Sequence, residues 1–319
     1  MPRILYMCPD SNVPTGGIKV IYRHVELLRE LGHDAYVMHL TTEFSRCTWF
    51  ASTAPVVHFG ALRGDDLVVV PEVMISITYD LHKQGVRFCV FVQNGYLVLP
   101  HTNPGAVRDC YGWAQAVFSI SDDTTSVQTE LFPECAGKIM RVQYSVDADL
   151  FRPGQKERTV LYMPRKLPTH ARNVVPWVAS QFPDWGFVEL DGMSETGVAE
   201  EMRRARIFLA FSDLEGCPVP PIEAALSGNI VVGYPGWGGE EYWRKPNFRR
   251  VEMGNLREFA REFGEAAALA SQPQVDAILA PGIAALAARY GRAREAELLG
   301  RAFDFVLSGL RTSRGTPSS

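Results

Sequence analysis

Two glutamates stand eight residues apart in the run Glu215-Gly-Cys-Pro-Val-Pro-Pro-Ile-Glu223. A carboxylate accepts hydrogen bonds from two hydroxyls at once, so each suits a vicinal diol such as that of a ribose or a pyranose. Pro220 and Pro221 suit the opening of a helix, where a missing N–H costs nothing, and Gly228 suits its end. The backbone amides of about residues 216–219, Gly216 and Cys217 among them, can then point at an anion, helped by the helix dipole. Upstream, Leu161-Tyr-Met-Pro-Arg165-Lys166 brings two cations together. Arginine offers a planar fork and lysine a point charge, a combination suited to a diphosphate. Each feature also has a plainer reading, as acids favoured at a helix start or as a solvated basic turn.

These residues need strands and helices to hold them. Short apolar runs at residues 3–8, 35–40, 66–70, 87–93, 116–120 and 139–143 read as strands, with helical patterns between them. Ile18, Ile21, Val25, Leu28 and Leu31 recur at helical spacing, and Gly32 suits the stop. Proline, glycine and charge cluster at residues 147–158, as at a domain boundary. The alternation then restarts, with strands at 160–163, 186–190, 207–211 and 230–233 and helices at 173–182, 199–205 and 220–226. The expectation is an α/β chain of two doubly wound parallel-sheet domains facing a cleft, residues 1–152 and 153–310. Ligands in such sheets bind outside the carboxyl ends of the strands. Residues 255–310 read as several helices broken at Pro273 and Pro281, and the last, 301–310, can cross back to the first domain. Residues 311–319 read as a disordered polar tail.

Composition narrows the function classes. The 319 residues are 46% hydrophobic and carry a net charge of −4, with no basic run to suggest a nucleic-acid groove. Cys8, Cys47, Cys89, Cys110, Cys135 and Cys217 are scattered without a C-x-x-C pair, which points to reduced thiols in a cytoplasm. The seven histidines make no metal-binding spacing, so no zinc is expected. No stretch reaches the roughly 18 to 20 apolar residues of a membrane span, although a surface patch would suffice for peripheral association.

Three further segments face the expected cleft. Pro14-Thr-Gly16-Gly17 follows the first strand, and paired glycines let a backbone approach a ligand closely. Gln93-Asn94 ends the fourth strand and suits a sugar or acceptor contact, or else caps its own loop. Pro235-Gly-Trp-Gly-Gly239 reads as a flexible loop in which Trp237 either stacks on a sugar or packs. There is no G-x-G-x-x-G fingerprint of a dinucleotide-binding oxidoreductase and no G-x-S-x-G elbow.

The spacing Glu215 to Glu223, with Ser212 before it and the Pro-x-Glu-Ala-x-x-x-Gly pattern around Glu223, resembles the E-x7-E motif of retaining GT-B glycosyltransferases, especially family 4. The run Val146-Asp147-Ala-Asp-Leu-Phe151-Arg-Pro153 is similar to that family's interdomain signature, with Ser145 in place of its usual glycine. The resemblance implies a GT-B fold and a nucleoside diphosphate sugar as donor. It places Glu215 on the hydroxyls of the donor sugar and Glu223 on the ribose. It gives Arg165 and Lys166 the leaving diphosphate, and Gly16, Gly17, Gly216 and Cys217 the donor. It implies no metal or other cofactor, and retention with the departing phosphate taking the acceptor proton. Cys217 stands where the family usually has an aromatic, and Gln93 near where many members have histidine. Gln93 and Asn94 are left as acceptor or sugar contacts, and no protein base is assigned. Two other classes stay open: a sugar-nucleotide epimerase of similar shape, and a non-catalytic binder of nucleotide sugars.

Overall fold

The computed structural model describes residues 2–100 and 103–312. The chain divides into two compact units, one of Met1–Tyr144 with the chain from Glu295 onward, the other of Ser145–Arg294.

In the first unit the order is β1 (Ile4–Met7), α1 (Gly16–Glu30), β2 (Ala35–His39), β3 (Val56–His58), β4 (Leu67–Pro71), α2 (Ile77–Lys83), β5 (Arg87–Val92), α3 (Pro104–Trp113), β6 (Val117–Ser119), α4 (Asp122–Leu131) and β7 (Ile139–Arg141). All seven strands are parallel, in the order β3-β2-β1-β4-β5-β6-β7. The central strands are continuous apolar runs because helices cover both faces, and Ile4, Leu5, Val68, Val69 and Val90 are buried. α1 buries Ile18, Ile21, Val25 and Leu28 of the stripe its spacing predicts, whereas Leu31 is the C-cap beyond its last residue and is exposed. Gly32 ends it at a φ of 87°, a left-handed conformation that glycine adopts without strain. The strand order reverses between β1 and β4, and ligands bind at such a switch point.

The second unit runs β8 (Glu157–Tyr162), α5 (Pro168–Gln181), β9 (Gly186–Glu189), α6 (Glu195–Arg204), β10 (Ala205–Glu215), α7 (Pro220–Leu226), β11 (Ile230–Trp237), β12 (Phe248–Arg250), α8 (Leu256–Ala270) and α9 (Val275–Arg289). Its parallel sheet has the order β12-β11-β10-β8-β9, so its switch point lies between β8 and β10. β10 and β11 run on beyond the expected 211 and 233. Their last residues pair across an irregularity between Ser212 and Glu215, and neither tail is an apolar run. β3 and β12 were not expected, each being three residues long.

Pro281, expected as a break, lies inside α9. It removes one N–H, and the helix continues past it. Residues 147–153 pack within the second unit: Asp147 accepts from the amides of Asp149 and Leu150, and Phe151 is buried. The units therefore divide upstream of the Pro/Gly cluster, between Tyr144 and Ser145. The last helix, α10 (Arg292–Thr312), starts earlier than residue 301 and groups with the first unit from Glu295. Its Phe303 ring meets Tyr6 and Phe118 there. Of the expected tail, Arg311 and Thr312 close α10 and the remainder lies outside the described residues. Among the described residues no helix is long and apolar enough to cross a membrane.

Candidate functional site

β8 and β10 are neighbours, so the turn after the one meets the end of the other at the switch point. Lys166 Nζ lies 2.8 Å from Glu215 Oε1. Their side chains are 52% and 21% exposed, so this is a surface pair that contributes little to stability, about 0–1 kcal/mol. Arg165 is exposed in the same turn, and among the described residues it has no ion-pair partner. The spacing of Glu215 and Glu223 is spanned by four residues of loop and the first turn of α7, with Pro220 and Pro221 at its first two positions. Glu223 is half-buried, and its own amide bonds to Val219 O. Gly228 ends α7 at a φ of 86°. Arg165, Lys166, Glu215, Gly216, Cys217 and Glu223 thus share the carboxyl edge of one sheet.

The Pro235–Gly239 segment is not a flexible loop. Gly236, Gly238 and Gly239 are buried, and they are glycines because backbone fills the space a side chain would need. A Cβ on Gly238 would lie 2.0 Å from Gly216 O and 2.5 Å from Glu215 O. Gly238 N donates to Glu215 O, and the buried Tyr242 hydroxyl donates to Pro218 O, fixing the loop before α7 from both sides. Gly238→Ala is therefore expected to push the Glu215-Gly216 backbone aside. The loss should be about 1–3 kcal/mol of stability. Thermal unfolding of the variant checks this, and a wild-type midpoint would refute the packing argument.

In the first unit, Gly16 and Gly17 are the first two residues of α1 rather than part of the loop before it. A Cβ on Gly17 would meet the Gln93 amide at 3.1 Å, and Gln93 Nε2 donates to Gly17 O at 3.3 Å. Gly17 in the first turn of α1 and Gln93 directly after β5 therefore meet, whereas Gly16 has open space around it. Asn94 caps its own loop, its Oδ1 accepting from Tyr96 N. Sequence reasoning missed Glu72, which follows β4 and is only 5% exposed. Its Oε1 accepts from Asn94 N at 2.9 Å, and its Oε2 is buried with no hydrogen-bond partner among the described residues. Burial pushes its carboxyl up to about 7, against the amides of Gln93 and Asn94, which favour the charged form. The one available signal was an acid directly after the strand Val68-Val69-Val70-Pro71.

The fold also gathers Cys8, His39 and Cys47, buried and with ligand atoms within 4.8 Å of one another. Residue spacing gave no sign of this cluster, because its members come from the residue after β1, from β2 and from the segment after β2. Both nitrogens of His39 already have partners, Asp10 Oδ1 at 3.0 Å and the Tyr22 hydroxyl at 2.8 Å. Burial raises both thiols above their ordinary range, so they favour the neutral form.

No family model matches the chain. An α-1,6-glucosyltransferase of Actinobacillus pleuropneumoniae serotype 7 is 24% identical over 251 residues, 73% of each chain. Among solved structures, sucrose-phosphate synthase of Thermosynechococcus elongatus superposes with a TM-score of 0.71 at 11% identity, covering 97% of this chain and all of that one. Anabaena HepE, solved with UDP and glucose, gives 0.66 at 14% identity, covering 97% and 100%. The chain therefore has the GT-B fold, built of two Rossmann-like parallel-sheet units, and resembles the glycosyltransferases that share it.

Proposed function

We propose that the chain is a retaining glycosyltransferase that moves a sugar from a nucleoside diphosphate to a glycan, lipid-linked or small-molecule acceptor. The observation that carries this reading is the Lys166–Glu215 pair at the switch point of the second sheet, with Glu223 following in α7. It is supported by the A. pleuropneumoniae glucosyltransferase and by the HepE structures with UDP and UDP-glucose.

Breaking the anomeric C–O bond builds negative charge on the departing diphosphate and positive charge on the sugar ring. Arg165 and Lys166 meet the first, and Glu215 holds sugar hydroxyls while its charge faces the second. Glu223 binds the ribose, and Gly216 and Cys217 let the backbone come close to the donor. The reading draws its positive charge from side chains and calls for no metal. The departing phosphate oxygen takes the acceptor proton, so no protein base is required. In the first unit, Gly16, Gly17 and Gln93 are assigned to the ligand, with Asn94 holding the loop that presents Gln93.

Thermal-shift screening against UDP-, GDP- and dTDP-sugars, followed by product analysis on each hit, tests the proposal. Stabilisation without transfer or hydrolysis would favour a non-catalytic binder, and inversion at the anomeric carbon would refute retention. Glu223→Ala removes a charged acceptor from the ribose. It is expected to weaken binding of the free nucleoside diphosphate about tenfold or more. Unchanged affinity in a calorimetric titration would remove Glu223 from the ribose.

A further inference from the structure

Trp237 is the only residue other than glycine with a positive φ among the described residues, at 54°. The residue is 55% exposed, so the fold gains little from burying the indole. An exposed tryptophan in a left-handed conformation is doubly unfavourable, and glycine would remove both costs. Glycine already occupies the flanking positions 236, 238 and 239.

The backbone that holds Trp237 is rigid. A Cβ on Gly236 would lie 2.5 Å from Asp213 O, and one on Gly239 would lie 2.3 Å from Pro235 O. Gly238 N bonds to Glu215 O, and Glu240 N bonds to Trp237 O at 2.9 Å. Trp237 is also the ladder partner of Glu215. The ladder pairing therefore sets an exposed tryptophan next to Glu215 on the neighbouring strand, a flat apolar ring on one residue and a carboxylate suited to hydroxyls on the other. That pairing fits one chemistry: a pyranose offers an apolar C–H face to an aromatic ring and its hydroxyl edge to a carboxylate.

Resting on the donor assignment above, we propose that Trp237 is the stacking platform for the hexose of the donor, and so a specificity-determining residue for the sugar rather than for the nucleotide. The test is calorimetric titration of the full chain and of Trp237→Gly and Trp237→Phe with UDP and with UDP-glucose, alongside thermal unfolding. Trp237→Gly should weaken UDP-glucose binding about three- to tenfold while UDP affinity stays within twofold, and its unfolding midpoint should hold or rise. Trp237→Phe should recover most of the UDP-glucose affinity. Equal loss for UDP and UDP-glucose would place the ring under the base and overturn the proposal. Unchanged affinity for both, or a lowered midpoint in Trp237→Gly, would also overturn it. A wild-type chain that binds UDP but gains nothing from the glucose would refute the platform and leave the nucleotide assignment standing. A chain that binds neither, nor any GDP- or dTDP-sugar of the screen, would refute the donor assignment and the platform with it; where one of those binds instead, it and its free nucleotide replace the uridine pair in the same test.

Discussion

Replacing Arg165 with alanine is expected to lower turnover by on the order of 10²- to 10³-fold, with a much smaller change in donor affinity. The reason is the difference between the two cations after β8. Lys166 already faces a carboxylate, Glu215 Oε1 at 2.8 Å, so part of its charge is offset before any donor arrives. Arg165, exposed and without an ion-pair partner among the described residues, can give its whole charge to the diphosphate. An interaction that grows with the charge of the departing group appears in kcat rather than in binding. Lys166→Ala should therefore cost less than Arg165→Ala. Lys166→Ala and Glu215→Ala together should depart from additivity, because each single change leaves the other charge without its partner. Steady-state rates on whichever sugar nucleotide the wild type turns over decide the matter. Wild-type kcat in Arg165→Ala removes the residue from the mechanism.

What could be read in advance follows from the range of the interactions. The strands of both sheets were visible because parallel strands buried on two faces are unbroken apolar runs, as in Val68-Val69-Val70. Gly32 and Gly228 marked helix ends because the left-handed turn there is a local demand. Glu215 and Glu223 were visible because their separation belongs to one strand-turn-helix unit. The Lys166–Glu215 pair was not visible, since it depends on β8 and β10 being neighbours. The glycines of Pro235–Gly239 suggested flexibility for the same reason: the Glu215 and Gly216 carbonyls that exclude a side chain come from a different strand. Glu72 stayed hidden because its burial, and the amides of Gln93 and Asn94 above it, are products of tertiary packing.

Glu72→Gln is expected to stabilise the chain at pH 8 by about 3 kcal/mol and to leave it almost unchanged at pH 4.5. Burial holds the Glu72 carboxyl protonated up to about 7, against an ordinary glutamate value of 4.5. Below 4.5 it is neutral in both the folded and the unfolded chain, and no difference arises. As pH rises from 4.5 to 7 the unfolded chain ionises while the folded one keeps its proton, so stability falls. Above 7 the folded chain carries a buried carboxylate whose Oε2 has no partner among the described residues, and the whole cost is present. Glutamine keeps an acceptor for Asn94 N and never ionises, so it avoids that cost. His24 acts in the opposite sense. Burial lowers its imidazole to about 4, so its penalty grows as pH falls from 6.5 towards 4. The two slopes nearly cancel in the wild type between about pH 4.5 and 6.5. The informative quantity is therefore the gap between variant and wild type, which removes the His24 contribution. Chemical denaturation at pH 4.5, 6 and 8 should show that gap opening with pH. A gap of the same size at every pH would mean that Glu72 is ionised throughout and that its environment is not the apolar one described.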